Sequence, residues 1–292
     1  MSGSFDSTRP AFQNIGVLYH PELAEARVMA ADILEFVEGL GISAQVSPTW
    51  DDGGLQEHLD VLDLMVVLGG DGSIIRAARI AASYKFPILG INMGHLGFLA
   101  EVQPGEWREA LEQTLTGNFW IERRMVLHTE HRHGKQIIGT YDALNEAVIS
   151  RGQMARVVRL NTYVDRGFLT TYVADGLIVA TATGSTAYAL AAGGPILPPE
   201  LENFLLVPIA PHLSLDRALV LSKGVTINVE VSTDHKAVLT IDGQVEIELA
   251  NKDEIEMSAG PWKAQFVRLQ ARNYFYQTLM RRLGWPQPKR RY

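Results

Sequence analysis

The chain has 292 residues, enough for about two domains of roughly 150 residues each, and its 47% apolar content excludes a disordered tail or a fibre. The 26 basic and 33 acidic side chains give a net charge of −7, which argues against a nucleic-acid-binding protein because such proteins present a basic face. The absence of cysteine excludes disulfides, thiolate catalysis, iron–sulfur clusters and cysteine zinc sites.

The first third of the chain alternates between short apolar strands and helices. This alternation predicts a parallel sheet covered by helices on both faces. Pro21 is expected at the first position of the first helix, and Gly41 is expected to end that helix. The predicted strands are Asn14–Tyr19, Ile42–Val46, Leu64–Leu68 and Phe86–Asn92, and the predicted helices are residues 22–40 and Ser73–Tyr84.

After about residue 120 the sequence favours strand residues in partial alternation, which predicts an antiparallel β domain with many turns. A helix is expected over Arg272–Leu283, followed by a frayed basic tail. The predicted strands of this part are Trp120–His131, Gln136–Ser150, Arg156–Asp165, Phe168–Ala174, residues 176–180, Val225–Val231, Val238–Ile241 and Val245–Leu249.

The run from Gly176 to Pro199 carries no charge over 24 residues. Its glycines and prolines would break a lipid-facing helix, so the sequence predicts a loop system and no membrane span. The chain begins MSGSFDSTRP, without a basic start followed by an apolar run. We therefore expect no secretory signal and a cytoplasmic location.

Glycine-rich segments follow two of the buried strands. Gly69-Gly70-Asp71-Gly72-Ser73 opens a helix, where glycines let a ligand approach and free N–H groups can hold phosphate. An acid in such a loop makes sense if it faces a hydroxyl or a metal near the phosphate. The alternative is a tight turn in which Asp71 or Ser73 caps the helix. Asn92–Leu99 (NMGHLGFL) follows the next strand, and its glycines either border a ligand or only turn the chain.

Three further segments carry polar groups suited to a nucleotide. Asn145-Glu146 could pair with the vicinal hydroxyls of a ribose, or be a solvated strand end. Residues 174–195 join a strand to hydroxyl-rich residues and a small-residue helix, in which Tyr188 offers a flat ring. The alternative there is a capped, buried helix. Asp242-Gly243 is first of all a hairpin turn.

Together these segments resemble the NAD kinase family. The matching runs are GGDGS at 69–73, NMGHLGFL at 92–99, LNEAVISRG at 144–152, ADGLIVATATGSTAYALAAGGPI at 174–196, PIAPH at 208–212 and DGQ at 242–244. The TGSTAY…AGGPI run is the most specific, because GGDG also occurs in diacylglycerol-type lipid kinases and phosphofructokinases. The resemblance implies phosphorylation of the adenosine-ribose 2′-hydroxyl of NAD by ATP with Mg²⁺, giving NADP.

The resemblance also implies an organisation of the chain. It predicts a Rossmann-like α/β domain with a parallel sheet over residues 1–118 and an antiparallel β-sandwich-like domain over 119–268. Residues 269–292 are expected to return to the first domain. A homodimer or homotetramer is expected, with NAD and ATP as ligands and no nucleic-acid or membrane partner.

The resemblance assigns roles residue by residue. Asp71 is the expected general base, and no side chain is assigned to a metal, because Mg²⁺ is expected on the ATP phosphates. The expected phosphate loop is Gly69, Gly70, Gly72 and Ser73. The expected NAD-binding residues are Asp71, Gly72, Arg76, Asn145, Glu146, Arg156, Asp175, Thr186, Ala187, Tyr188, Ala189, Leu190, Ala191, Ala210 and Gln244.

The sequence departs from the family pattern at three positions. Ser73 stands where threonine is commoner, Ala182 replaces the usual proline of TPTGS, and Val173 stands where some members carry arginine. Two other functions remain open at this stage. One is a diacylglycerol-type lipid kinase, which would need an apolar lipid entrance. The other is a non-catalytic NAD-binding sensor, which would not need Asp71.

Overall fold

The computed structural model describes residues 10–50, 56–94, 97–152, 156–212 and 215–282. The chain divides into two compact units, which we call unit 1 and unit 2. Unit 1 consists of the residues up to Arg123 together with those from Gln265 onward, and unit 2 is Arg124–Ala264. Three predicted features lie outside the described residues: the start of the chain up to residue 9, His95 with Leu96 of the second glycine segment, and the tail from residue 283.

The described residues form sixteen strands and five α-helices. The strands are β1 (Asn14–Tyr19), β2 (Ser43–Pro48), β3 (Leu64–Gly69), β4 (Ile88–Asn92), β5 (Trp120–His133), β6 (Gln136–Ala143), β7 (Glu146–Arg151), β8 (Val158–Val164), β9 (Gly167–Ala174), β10 (Gly176–Thr181), β11 (Asn203–Ile209), β12 (Leu219–Ser222), β13 (Ile227–Ser232), β14 (Ala237–Ile241), β15 (Val245–Leu249) and β16 (Asp253–Arg268). The helices are α1 (Ala24–Gly39), α2 (Asp71–Tyr84), α3 (Trp107–Leu115), α4 (Tyr188–Ala191) and α5 (Tyr274–Arg282). Short 3₁₀ turns occupy Gln56–Val61, Pro104–Glu106 and Thr183–Thr186.

Unit 1 is built on a parallel sheet with the strand order β2-β1-β3-β4. The end of β16 extends this sheet, since Phe266 pairs in parallel with Ile88 of β4. Gly69 and Asn92 are partners in the register of β3 and β4. The two glycine segments therefore leave the same edge of the sheet.

Helices cover both faces of this parallel sheet. The buried residues of α1 and α3 share one core cluster with alternate residues of β1, β3 and β4. On β4 that cluster contains Leu89 and Ile91, so Gly90 faces the other way. A Cβ on Gly90 would overlap Ile74 of α2. Helix α2 therefore packs on the opposite face, close enough to require glycine there.

The first helix begins later than the sequence predicted. Pro21 lies in a turn, in which the Leu23 N–H donates to the His20 carbonyl at 3.1 Å, and α1 begins at Ala24. The expectation that Pro21 opens the helix is therefore wrong, because this turn comes first. Gly41 does follow the helix, with a φ of 76° that favours glycine.

Unit 2 contains two antiparallel sheets. The first has the order β12-β11-β10-β7-β14-β15, and the second contains β16-β13-β8-β9, with β5 pairing with β16 and β6. Inward residues of both sheets form one core cluster, which includes Tyr172 from β9 and Phe204 from β11. Sheets that share a core in this way form a sandwich. The predicted fold class, a Rossmann-like α/β domain and an antiparallel β-sandwich-like domain, is confirmed.

Several predicted elements differ from the observed ones. The single strand predicted over Gln136–Ser150 is two strands, because the chain passes from one sheet to the other at Leu144 and Asn145. The helix predicted after the hydroxyl-rich residues is only the four-residue α4. Strands β11, β12 and β16 and helix α3 were not predicted.

The uncharged run that begins at Gly176 folds as β10, a 3₁₀ turn and α4 before it reaches an irregular segment. Among the described residues, no helix combines the length and the apolar character needed to cross a membrane.

The shared core of unit 2 predicts a large cost for truncating an inward residue. Leu206 on β11 is fully buried in this core, so Leu206→Ala should lower the free energy of unfolding by about 2–5 kcal/mol. Val220 on the adjacent β12 is 52% exposed, and Val220→Ala is the matched control. Urea denaturation of both variants measures the difference. Equal losses would contradict the core assignment.

Candidate active site

The GGDG loop places Asp71 at the first position of α2. Gly70, in an extended conformation, is the residue before the helix, and no side chain caps it. The alternative, in which Asp71 or Ser73 caps this helix, is therefore excluded. The Asp71 carboxylate instead accepts the N–H of Phe98 at 2.7 Å and the N–H of Leu99 at 3.1 Å. These two hydrogen bonds fix the direction in which the acid points.

Two glycines make this arrangement possible. A Cβ on Gly97 would overlap the Asp71 carboxylate, and a Cβ on Gly69 would overlap the Ser73 side chain. The second glycine segment is also tied to the first, since the Met93 N–H donates to the Gly69 carbonyl at 3.2 Å. The start of α2 carries the positive end of the helix dipole, which favours an anionic ligand. Acid, glycines and helix start thus lie together.

Arg76 lies on α2 one turn beyond the acid. Its Nε donates to the Thr49 carbonyl at 2.9 Å, and its guanidinium lies 5.0 Å from the centre of the Trp50 ring. The sequence offered no signal for this partner, which follows β2.

In unit 2 the Asn145–Glu146 pair is held by a carboxylate from the hairpin between β14 and β15. Asp242 accepts the N–H groups of Leu144 at 2.9 Å, Asn145 at 2.8 Å and Glu146 at 3.1 Å. Asp242 and Gly243 have φ angles of 51° and 64°, as a type I′ turn requires. The hairpin predicted at Asp242-Gly243 is therefore present, and its acid anchors the Asn145–Glu146 pair.

The end of β10 holds the turn at Leu144 and Asn145 from a second direction. The Thr181 N–H donates to the Asn145 carbonyl at 2.8 Å, and the Thr181 hydroxyl donates to the Leu144 carbonyl at 2.6 Å. A Cβ on Gly184 would overlap the Asn145 backbone, which explains the glycine of the TGS run. Ala182 begins this tight turn without the proline usual in the family.

Glu146 is buried next to Asp242. Burial, reinforced by the neighbouring Asp242 carboxylate, raises the pKa of Glu146 to about 8. Glu146 is therefore protonated at neutral pH and can donate a hydrogen bond. Among the described residues, its Oε2 has no hydrogen-bond partner. A ligand acceptor at this point would satisfy the group.

The residues of the 3₁₀ turn and α4 follow directly. The Ser185 hydroxyl donates to the Leu197 carbonyl at 3.2 Å and accepts the Leu197 N–H at 3.0 Å, which closes the loop on itself. The Thr186 hydroxyl donates to the Thr183 carbonyl at 3.3 Å. In α4, Ala189 is buried and the Tyr188 side chain is 45% exposed. The ring of Tyr188 is therefore accessible from outside unit 2. Ala187 precedes α4, which also contains Leu190 and Ala191.

Asp175 lies at the other end of β10 from this loop. It forms a two-pronged ion pair with Arg151, with distances of 2.9 and 3.1 Å. Gly176 pairs with Ser150 and Ala180 with Glu146, so Asp175 and Glu146 are separated by the length of β10, about 17–20 Å. A single ligand that contacted both Asp175 and Glu146 of one protein chain would therefore have to be extended.

Three more of the predicted contact residues lie in unit 2. Arg156 bonds to His235 at 2.8 Å on the surface. Ala210 has a positive φ of 44° after β11. The Gln244 N–H closes the β14–β15 hairpin on the Ile241 carbonyl at 2.9 Å, close to the Asn145–Glu146 pair that Asp242 anchors.

The segments that carry these groups match models of one protein family. Residues 15–119 match the model of the ATP-NAD kinase N-terminal domain, and residues 144–269 match that of the ATP-NAD kinase C-terminal domain. The NAD kinase of Chloroflexus aurantiacus is 40% identical over 275 residues, which cover 93% of this chain and 98% of the relative. The chain belongs to the NAD kinase family. The resemblance stated from the motifs is confirmed.

Other members of the NAD kinase family agree. The enzyme of Dehalococcoides mccartyi strain CBDB1 is 36% identical over 92% of this chain and 95% of its own length. Among solved structures, an NAD kinase from Archaeoglobus fulgidus in complex with ATP is 26% identical, with a TM-score of 0.72 over 91% of this chain and 96% of that chain. Yeast NADH kinase complexed with NADH shares the fold, with a TM-score of 0.81, 23% identity and coverage of 99% of this chain and 94% of that chain.

The overlap at Gly97 makes a prediction about activity. Gly97→Ala should displace the Asp71 carboxylate and lower NADP formation by about 10²-fold, since displacements near 1 Å can cost that much. Gly105→Ala is the control, because a Cβ at Gly105 meets nothing within 4 Å. Steady-state turnover of the two variants checks this. Equal turnover would show that the close approach of Gly97 to Asp71 has no role.

The raised pKa of Glu146 predicts a pH-dependent stability. Between pH 4.5 and about 8 the folded state keeps a proton that the unfolded state releases, so this group's contribution to stability falls as pH rises. Glu146→Gln does not titrate. As pH rises through this window, the free energy of unfolding of the variant should therefore increase relative to that of wild type, by up to about 1.4 kcal/mol per pH unit.

Urea denaturation at pH 5, 6.5 and 8 measures this gain. The exposed Glu200 provides the control substitution Glu200→Gln, which should show no such trend. A difference between Glu146→Gln and wild type that stays constant with pH would contradict the raised pKa.

Proposed function

We propose that this protein transfers the γ-phosphoryl group of ATP to the 2′-hydroxyl of the adenosine ribose of NAD, giving NADP and ADP, with Asp71 as the general base. The proposal rests on the position of the Asp71 carboxylate. It is half-buried at the start of α2, beside glycines that let a ligand approach, and two backbone N–H groups aim it. The ATP complex of the Archaeoglobus fulgidus NAD kinase supports ATP as the donor.

The proposed step conserves charge and atoms. The ribose 2′-oxygen attacks the γ-phosphorus as its proton passes to the Asp71 carboxylate. A bond from the 2′-oxygen to phosphorus forms, the bond from the γ-phosphorus to the bridging oxygen breaks, and ADP leaves. The protein performs little covalent chemistry in this step, so positioning and charge neutralisation supply most of the catalysis. A positioned base contributes about 10²–10⁴-fold.

Unit 1 is proposed to hold the phosphates. The loop Gly69, Gly70, Gly72 and Ser73 and the positive end of the α2 dipole would bind them, which allows an acidic protein to bind polyanions. Arg76 would add a cationic contact.

Unit 2 is proposed to hold the dinucleotide. Asn145 and the protonated Glu146 would bind ribose hydroxyls and the adenosine, and Tyr188 would lie near the adenine. Thr186, Ala187, Ala189, Leu190 and Ala191 would line the same site. Asp175 would contact the nicotinamide end, at a distance that requires an extended ligand. Gly72, Arg156, Ala210 and Gln244 are proposed as further contacts.

Magnesium is proposed as part of the MgATP substrate. Among the described residues, no group of three or more histidine or acidic side chains could enclose a metal ion. Mg²⁺ commonly keeps its waters and binds substrate phosphates with one or two carboxylates, so it does not need a cage of protein side chains. A homodimer or homotetramer and a cytoplasmic location stay predictions that rest on the family resemblance and the composition.

Asp71→Asn tests the base. The variant should fold but lose turnover by about 10²–10⁴-fold, because the amide cannot accept the proton. Purified protein is mixed with NAD, ATP and Mg²⁺, and NADP is detected with an NADP-specific dehydrogenase. Unchanged turnover would exclude Asp71 as the base.

A second carboxylate in unit 1 supplies the matched control. Asp63 also accepts two backbone N–H groups, from Gln13 at 2.7 Å and Asn14 at 3.0 Å. Asp63→Asn therefore measures the structural cost of weakening two hydrogen bonds from backbone N–H groups to a carboxylate that has no catalytic role. The variant should keep its turnover per folded molecule. NAD binding without NADP formation by the wild type would favour the sensor, and absence of both would reopen the lipid kinase.

A further inference from the structure

Unit 1 contains a buried ion cluster that the proposed chemistry does not use. We call Arg268, Glu101, Glu122 and Tyr274 the Arg268 cluster. Arg268 and both glutamates have side chains only 1% exposed. Arg268 Nε donates to Glu122 at 2.8 Å, Nη1 donates to Glu101 at 3.1 Å, and the Tyr274 hydroxyl donates to Glu122 at 2.7 Å. Arg268 thus pairs with both buried acids.

The Arg268 cluster reaches the loop that holds Asp71. Arg268 Nη1 also donates to the Leu99 carbonyl at 2.9 Å. The N–H of the same Leu99 donates to the Asp71 carboxylate at 3.1 Å. Leu99 is therefore held at both of its backbone polar groups, by Arg268 on one side and by Asp71 on the other.

Glu101 holds the residues that follow Arg268 against the segment that follows Leu99. Its Oε1 accepts the N–H groups of Leu269 and Gln270, each at 2.8 Å, and the Gln270 side chain donates to the Glu101 carbonyl at 3.2 Å. The segment that follows β16 is thereby bound to the segment that follows the second glycine loop. If Arg268 shifted while Leu99 stayed in place, the hydrogen bond between them would break.

We infer that Arg268 is a positioning residue for Asp71: through Leu99 it fixes the N–H donors that aim the carboxylate at its substrate. The inference rests on the proposed role of Asp71 as the base. Arginine suits the position because its planar fork spans the Leu99 carbonyl and two carboxylates at fixed angles. Lysine keeps the charge but has a single ammonium, so it cannot reproduce that geometry.

The test is a double-mutant cycle between Arg268→Lys and Asp71→Asn. Arg268→Lys should lower kcat by about 10-fold while the KM values for NAD and ATP change by less than about twofold, because alignment and not binding is lost. In the Asp71→Asn background, Arg268→Lys should change kcat by less than about twofold. Residues that act as a unit show this non-additivity, whereas a general loss of folded protein would lower both backgrounds equally.

Two further variants complete the experiment. Arg272→Lys is the matched control, since Arg272 lies four residues further on, is exposed, and stacks on Trp120 at 4.5 Å. It should leave kcat unchanged. Tyr274→Phe removes one hydrogen bond to Glu122 and enters the same cycle if Arg268→Lys fails to fold. Thermal unfolding of each variant confirms that the measured rates belong to folded enzyme.

The outcomes separate this inference from the proposed function. A kcat loss of equal size in both backgrounds, or no loss in Arg268→Lys, would overturn the positioning role and leave Asp71 as the base. Normal turnover in Asp71→Asn alone would overturn the base, and the positioning role with it. A loss confined to the wild-type background supports both.

Discussion

The Asp71 carboxylate is bound to the backbone of residues 98 and 99, and the local structure of unit 1 depends on this interaction. Parallel pairing of β3 and β4 brings the two glycine segments to one edge of the sheet, and the carboxylate then joins them. Gly97 lacks a side chain because the acid occupies the space that a Cβ would need. Since backbone N–H groups hold the acid, its direction is set by main-chain geometry and not by a flexible partner side chain.

Unit 2 uses the same device for a different segment. Asp242 accepts three successive backbone N–H groups from the turn at Leu144, where the chain changes sheets. These bonds satisfy N–H groups at a change of sheet, and unpaired buried N–H groups are costly. The Asp242 carboxylate also makes its neighbour Glu146 harder to ionise. One acid therefore shapes the Asn145–Glu146 pair and helps to keep the second acid protonated.

The Arg268 cluster places three charged side chains in the interior of unit 1. A cation with two carboxylates in a dry interior is poor at adding stability, because each ion loses its hydration on burial. Such a cluster does impose geometry, since every partner must be in place for the burial to be tolerated. In unit 1 that geometry reaches Leu99, whose N–H group helps to aim the acid.

The sequence by itself determined the pattern of the elements, the family and the residues around which the site is built. Uninterrupted apolar runs such as β3 and glycines after strand ends are local signals, so the α/β and β parts and the GGDG loop could be predicted. What Asp71 binds was not predictable, because its partners lie 27 and 28 residues away and are backbone groups that carry no side-chain signature. The same holds for Asp242, 97 residues from Asn145, and for Arg268, 169 residues from Leu99. Periodicity records which face of an element is buried, but only the tertiary structure decides which distant polar groups meet there.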